Sequence, residues 1–323
     1  MCTAITLHTK DHYFGRNLDL EYSYQETVTI TPRNFPFSFR KVPALPAHYA
    51  LIGMAYVVDN YPLYYDATNE KGLSMAGLNF PGNAFYLSEN SGLCNIAPFE
   101  LIPWILGQCS TVKEAGSLLS RTCLVDIPFN NDLPLTPLHF MISDQETSLV
   151  VEPRNDGIKI YDNPVGVLTN NPPFDCQMFQ LNNYMALTTR QPTNTFSPNL
   201  PLECYSRGMG ALGLPGDLSS QSRFIRASFI KMNSVSGTGE AESISQFFHI
   251  LGAVEQQRGC VFMGGDQYEI TVYSSCCNMD KGIYYYTTYE NRQITGIDMH
   301  KEDLNGQTLI NYPLIDKQQI AYL

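Results

Sequence analysis

Met1-Cys2-Thr3-Ala4-Ile5-Thr6-Leu7-His8-Thr9-Lys10-Asp11-His12-Tyr13-Phe14-Gly15-Arg16-Asn17-Leu18-Asp19 opens the chain. Thr3–Leu7 and Tyr13–Arg16 are rich in β-formers and flank a polar four-residue stretch, so the pattern predicts a hairpin that starts with the first residues. The chain end is then a strand and not a tail. A small second residue permits loss of the initiator methionine, which would leave Cys2 carrying both a thiol and a free α-amine. With ordinary pKa values of ~8.5 and ~7.7–8.0, the amine can take the thiol proton near neutral pH, so one residue supplies nucleophile and base. A second-position cysteine carries little weight by itself; the returning strand gives it a setting. Antiparallel return of Phe14–Asp19 is expected to bring Arg16 and Asp19 beside Cys2, the arginine favouring thiolate and the aspartate holding the amine.

Beyond the hairpin, strand-like runs occur at Val28–Thr31, Ala50–Val57, Leu73–Leu78, Leu138–Ser143, Leu149–Glu152, Ile158–Tyr161, Val165–Leu168, Tyr268–Tyr273, Ile283–Tyr289 and Gln293–Asp298. Helical spacing is clearest at Ser243–Gln256, where Ile244, Phe247, Phe248, Leu251 and Val254 share a face. Further helices are expected at Pro98–Gln108, Val112–Arg121 (capped by Thr111), Phe174–Ala186 and Arg223–Met232 after Ser222. Runs of strands broken by blocks of helix indicate an α+β fold of mainly antiparallel sheets, not a doubly wound one. Asn233–Glu240 reads as a surface loop, no long linker interrupts the chain, and residues 1–323 are expected to form one domain.

The composition narrows the function. Of 323 residues, 44% are hydrophobic and 16% charged, a globular balance with room for extensive burial. The net charge of -11 without a Lys/Arg cluster argues against nucleic acid, and any anionic substrate must be held by local donors or apolar contact. No leader-like segment or long apolar span is present, so the expected location is cytoplasmic, with no membrane span. Nine cysteines without CxxC spacing read as reduced thiols. A Cys109/His139 dyad and a zinc site both lack supporting spacing, and neither a metal nor a cofactor is expected.

Several separated motifs, in order, carry a resemblance: Met1-Cys2-Thr3, Phe14-Gly15-Arg16-Asn17-Leu18-Asp19, Asn69-Glu70-Lys71-Gly72-Leu73, Ala76-Gly77-Leu78-Asn79-Phe80, Gly166-Val167-Leu168-Thr169-Asn170-Asn171-Pro172, and Leu214-Pro215-Gly216-Asp217 with Ser222-Arg223-Phe224. The chain resembles the choloylglycine hydrolases, which comprise bile salt hydrolases and penicillin V acylases. The likeness extends past Tyr289-Glu290-Asn291 and covers nearly the whole chain. It implies a four-layer αββα sandwich of the N-terminal-nucleophile hydrolase type, assembled as a homotetramer. It also implies Cys2 as nucleophile once Met1 is removed, Arg16 and Asp19 activating it, Asn79 and Asn170 as oxyanion donors, and Arg223 completing the polar network.

Within that family, Asn79 in Gly-Leu-Asn-Phe resembles bile salt hydrolases, whereas the acylases more often carry an aromatic residue there. The resemblance therefore implies amide cleavage of glycine- and taurine-conjugated bile salts. Penicillin V acylase, or a non-catalytic binder of sterols or acyl amides, are the alternatives. Leu18, Tyr22, Tyr64 and Tyr65, with Ile127, Phe129, Leu133 and Leu135, are expected to supply apolar surface for a rigid steroid. His139-Phe140 stands where relatives commonly have His-Trp, a change expected to affect packing only.

Overall fold

The computed structural model describes residues 1–323. The opening hairpin forms as expected: β1 (Cys2–His8) and β2 (His12–Leu20) pair antiparallel, with Cys2 opposite Leu18 and Ala4 opposite Arg16. There follow β3 (Thr27–Thr31), β4 (Leu51–Val58), β5 (Tyr61–Asn69), β6 (Ser74–Asn79), β7 (Cys94–Ile96), β8 (Thr122–Leu124), β9 (Leu138–Ser143), β10 (Ser148–Arg154), β11 (Gly157–Asp162) and β12 (Val167–Leu168). The C-terminal part adds β13 (Phe262–Gly264), β14 (Gln267–Tyr268), β15 (Ile270–Asn278), β16 (Ile283–Thr288), β17 (Thr295–Asp298) and β18 (Ile310–Pro313). The helices are α1 (Leu101–Leu106), α2 (Val112–Leu119), α3 (Phe174–Gln180), α4 (Ser220–Asn233) and α5 (Glu240–Gly252).

Two sheets carry the architecture, one of six strands in the order β12-β1-β2-β15-β16-β17 and one of eight in the order β11-β10-β9-β6-β5-β4-β3-β18. Their ladders are antiparallel, and only the small β7–β8 pair runs parallel. The first strand is interior to its sheet. One apolar cluster joins Phe224 of α4 and Phe247, Ile250 and Leu251 of α5 to the six-stranded sheet, then continues between the sheets to Ile52, Met54 and Leu78. A second packs Leu101, Trp104 and Ile105 of α1 against Leu51, Ala55, Tyr64 and Met75 on the far face of the eight-stranded sheet. Neighbours on β4 thus enter different layers, as strand alternation requires, and the stack is helix, sheet, sheet, helix. No helix is long and apolar enough to cross a membrane.

Some elements differ from the sequence reading. β5 was not anticipated, because Pro62 and Asp66 interrupt its apolar pattern; Pro62 sits near the strand start, and Asp66 finds partners inside the sandwich. β15 begins only at Ile270 and runs on to Asn278, with all nine residues buried, so no polar alternation marks it. α5 starts at Glu240 and ends at Gly252, ahead of the expected limits, and α4 starts at Ser220 because Ser219, the first of a serine run, takes the cap. The helix expected at 174–186 stops at Gln180 and gives way to a 3-10 turn, Leu181–Tyr184. Thr111 does cap α2, its side chain accepting from Glu114 N at 3.2 Å.

Candidate active site

Alternation sorts the hairpin's side chains onto two faces. Arg16 and Leu18 share the face of Cys2 and Ala4, turned toward the eight-stranded sheet, where Arg16 Nη1 donates to Tyr65 O (3.0 Å) and Gly77 O (2.5 Å). Asn17 and Asp19 share the opposite face with Thr3, toward the helices: Asn17 Nδ2 donates to Leu251 O of α5 at 3.0 Å. From α4, Arg223 Nη1 donates to Cys2 O (2.5 Å) and Thr3 Oγ1 (2.6 Å), and its Nη2 donates to Asn170 Oδ1 (2.8 Å). Arg16 and Asp19 therefore flank the cysteine strand from opposite sides of the six-stranded sheet.

The nitrogen of Cys2 is held by one residue in particular. Cys2 N donates to Asn170 Oδ1 at 2.8 Å, while Asn170 Nδ2 donates to Asn79 O at 2.7 Å. Asn170 is itself fixed: its N donates to Ser220 Oγ (2.8 Å), and its carbonyl accepts from Gln177 Nε2 (2.5 Å). The preceding Thr169 O meets His139 Nε2 at 2.8 Å, and the His139 ring stacks on Phe80 with centroids 4.2 Å apart. Asp19 Oδ1 accepts from Thr271 Oγ1 at 2.6 Å, and Thr271 Oγ1 in turn accepts from Gln256 N at 2.8 Å. Ahead of Cys2, the Met1 ammonium donates to Asp19 O (2.7 Å) and to the Glu269 carboxylate, and Asp19 N donates to Met1 O (2.9 Å).

Burial sets the electrostatics. Cys2, Arg16, Asp19 and Arg223 are all buried, three of them with no exposed surface. Burial works against the Arg16 charge, but Cys2, Tyr273, Asp66 and Asp19 more than offset it and hold the guanidinium above its ordinary pKa. Burial raises the Asp19 carboxyl against the opposing pull of Arg223 and the chain-terminal ammonium. Arg223 lies 3.9 Å from Asp19 Oδ2, and burial lowers it despite Asp19 and Cys2. Between the sheets, Asp66 accepts from Tyr273 OH (2.6 Å), Tyr284 OH (2.7 Å) and Ser275 Oγ (3.2 Å), and burial raises its pKa even though Arg16 opposes this. Arg16 Nη2 and Asp19 Oδ2 are without a hydrogen-bond partner, as are His139 Nδ1 and Gln256 Oε1 farther out. A thiol at a chain end, flanked by a cation and an acceptor-lined nitrogen, is equipped for acyl transfer.

The family model for linear amide C–N hydrolases of the choloylglycine hydrolase family matches residues 2–312. The chain belongs to the choloylglycine hydrolases. It is 57% identical over 319 residues, 99% of this chain and 98% of the relative, to the bile salt hydrolase/transferase of Lactiplantibacillus plantarum. Among solved structures it is similar to a mutant of the conjugated bile acid hydrolase from Clostridium perfringens, with a TM-score of 0.93, 39% identity and full coverage of both chains. The penicillin V acylase of Agrobacterium tumefaciens, at 21% identity and a TM-score of 0.74 over 96% of this chain and 90% of its own, shares the fold. The αββα sandwich of a choloylglycine hydrolase, a linear amide hydrolase, is thus the architecture of this chain.

The remaining sequence-derived residues fall into three groups. Leu18 is buried opposite Cys2, and the half-buried Tyr65 ring lies 6.5 Å from that of Tyr273 on the inter-sheet side. Tyr22 is exposed and donates to Tyr24 OH at 3.2 Å. Tyr64 is a correction: a bulge between the residues paired with Met54 and Ala55 turns it to the outer face, where it joins the α1 cluster and its hydroxyl meets Thr31 Oγ1 at 2.7 Å. Ile127, Phe129, Leu133 and Leu135 are half-buried on the connection from β8 to β9. Phe129 packs with Phe99 (5.2 Å) and Tyr61 (5.8 Å), under the Arg40 guanidinium at 5.6 Å. Asn79 lies beside Asn170, its backbone carbonyl accepting from Asn170 Nδ2. Sequence reading missed Thr271, Glu269 and Asp66. Asp66 and Glu269 each left a signal, as a lone acid in a run of β-formers, and Thr271 left none.

Proposed function

We propose that this choloylglycine hydrolase cleaves the amide bond of glycine- and taurine-conjugated bile salts, with Cys2 as nucleophile after loss of Met1. The observation that carries the reading is the hydrogen bond from Cys2 N to Asn170 Oδ1, which holds in place the nitrogen that trimming converts into a free amine. Arg16 favours the thiolate through its unfilled Nη2, and Asp19 presents its unfilled Oδ2 to the new ammonium. Thiolate attack on the amide carbonyl forms a tetrahedral oxyanion, met by the second proton of Asn170 Nδ2 and by the Asn79 region; such donors are worth ~3–4 kcal/mol in the barrier. Arg223 fixes Cys2 O and Asn170 Oδ1 together, which keeps nucleophile and donor in register. The α-ammonium protonates the departing glycine or taurine, and the regenerated amine activates water against the thioester.

An acidic protein holds such a substrate by area. At roughly 25 cal/mol per Å², a few hundred Å² of steroid contact offsets the adverse field. Phe129, Leu18 and Tyr65 are the residues assigned to that contact, and Phe129→Ala is expected to raise KM more than it lowers kcat. Release of amino acid from glycocholate and taurocholate, compared with turnover of penicillin V, tests the substrate class, with Cys2→Ser as control. Preferential turnover of penicillin V would favour the acylase alternative, and a trimmed chain that binds but releases nothing would favour a binding protein. The single 1–323 domain is read as a cytoplasmic homotetramer. Support for self-association comes from large apolar side chains left exposed on one stretch, Phe179 at 72%, Met185 at 81%, Phe196 at 82% and Tyr205 at 82%.

A further inference from the structure

Met1 occupies its place much as a bound amino acid would. Its ammonium reaches Asp19 O and the Glu269 carboxylate, and its carbonyl takes the Asp19 N–H. Glu269 is 3% exposed, immediately ahead of β15, and its backbone N is tied to Val261 O at 2.9 Å. With Met1 gone, the Glu269 carboxylate would be left as a buried acceptor without its cation, which is costly.

We infer that the place vacated by Met1 is a product subsite for a small zwitterionic amino compound, with Glu269 as its ammonium-binding residue. The inference rests on the reading that Met1 is removed and that Cys2 releases an amino acid. When the C–N bond breaks, the leaving nitrogen takes one proton from the Cys2 α-ammonium and a second from solvent, becoming an ammonium. Its anionic end then faces the Asp19 N–H, as the Met1 carbonyl does here. The intact conjugate offers only a neutral amide nitrogen, so Glu269 separates product from substrate by charge. It holds the freed amine as an ammonium, which has no lone pair to attack the thioester.

Inhibition of conjugate hydrolysis by added small molecules tests this. In the wild-type enzyme, glycine and taurine are expected to inhibit far more strongly than acetate and isethionate, which keep an anionic end but lack the ammonium. In E269Q the ratio of glycine Ki to conjugate KM is expected to rise about tenfold or more, the scale of losing one charge-assisted hydrogen bond. Equal inhibition by taurine and isethionate in the wild type, or an unmoved ratio in E269Q, overturns the proposal. Intact mass separates the two levels. An active enzyme that retains Met1 sinks the trimming reading and this subsite with it, whereas a trimmed active enzyme indifferent to Glu269 sinks the subsite alone.

Discussion

Thr271 is a single hydroxyl on which the orientation of Asp19 depends. It donates to Asp19 Oδ1 while accepting from Gln256 N, and this hydrogen bond lowers a carboxyl that burial raises. Thr271→Val removes it, so the Asp19 pKa rises further. Because the proposed role of Asp19 requires the carboxylate, the acid limb of the kcat/KM profile should move to higher pH, and Thr271→Ser should restore it. An acid limb that stays put in the valine variant would refute the assignment. Arg16 invites a parallel measurement. Arg16→Met deletes a buried cation that interacts with the thiol, so alkylation of Cys2 at neutral pH should slow; an unchanged rate would refute that role.

At the scale of elements, α4 matters because it delivers Arg223 to Cys2 O. Its first turn is fixed by Asp217, whose Oδ1 accepts from Ser219 N (3.0 Å) and Oδ2 from Ser222 Oγ (2.6 Å). The Ser219 and Ser222 hydrogen bonds hold the Asp217 carboxyl down to about 2. A depressed carboxylate contributes stability above its unfolded pKa of ~3.9, and that contribution is lost as pH falls through about 2. Asp217→Asn should therefore flatten stability between pH 4 and 2, read by denaturant melts across that window. The cost at neutral pH should stay under about 1 kcal/mol, since the group is solvent-screened. The legibility of elements followed their exposure. α2 and α5 announced themselves because one face of each meets solvent, and the hairpin because a polar turn separates its two runs of β-formers. β15 and β5 did not: the first is buried along both faces, and the second owes its course to a bulge and to an aspartate satisfied by two tyrosines and a serine over two hundred residues away in sequence. For the same reason Cys2, Arg16, Asp19, Asn170 and Arg223 could be named from motifs. That the Arg16 face meets the other sheet while the Asp19 face meets the helices, and that the Asn79 carbonyl accepts from Asn170, required the layers to be assembled.

Across the whole molecule, the two sheets are tied by one buried acid. Asp66 reaches from β5 of the eight-stranded sheet to tyrosines on β15 and β16 of the other, and offsets the charge of Arg16. Asp66→Ala would strand two phenolic hydroxyls and a buried guanidinium, a loss of about 3–5 kcal/mol measurable by denaturant unfolding. A fall under about 1 kcal/mol would mean that apolar packing and the Arg16 hydrogen bonds join the layers without it. The exposed stretch bearing Phe196 and Tyr205 belongs to this scale too. Replacing both with serine should lower the mass seen by light scattering if that stretch joins copies of the chain.

The interior position of β1 also has a practical bearing on how the protein is handled. An affinity tag fused ahead of Met1 would have to displace the Met1 nitrogen from the Asp19 carbonyl and the Glu269 carboxylate, and it would block the proposed trimming. A purification handle belongs at the other terminus, where residues 319–323 lie exposed.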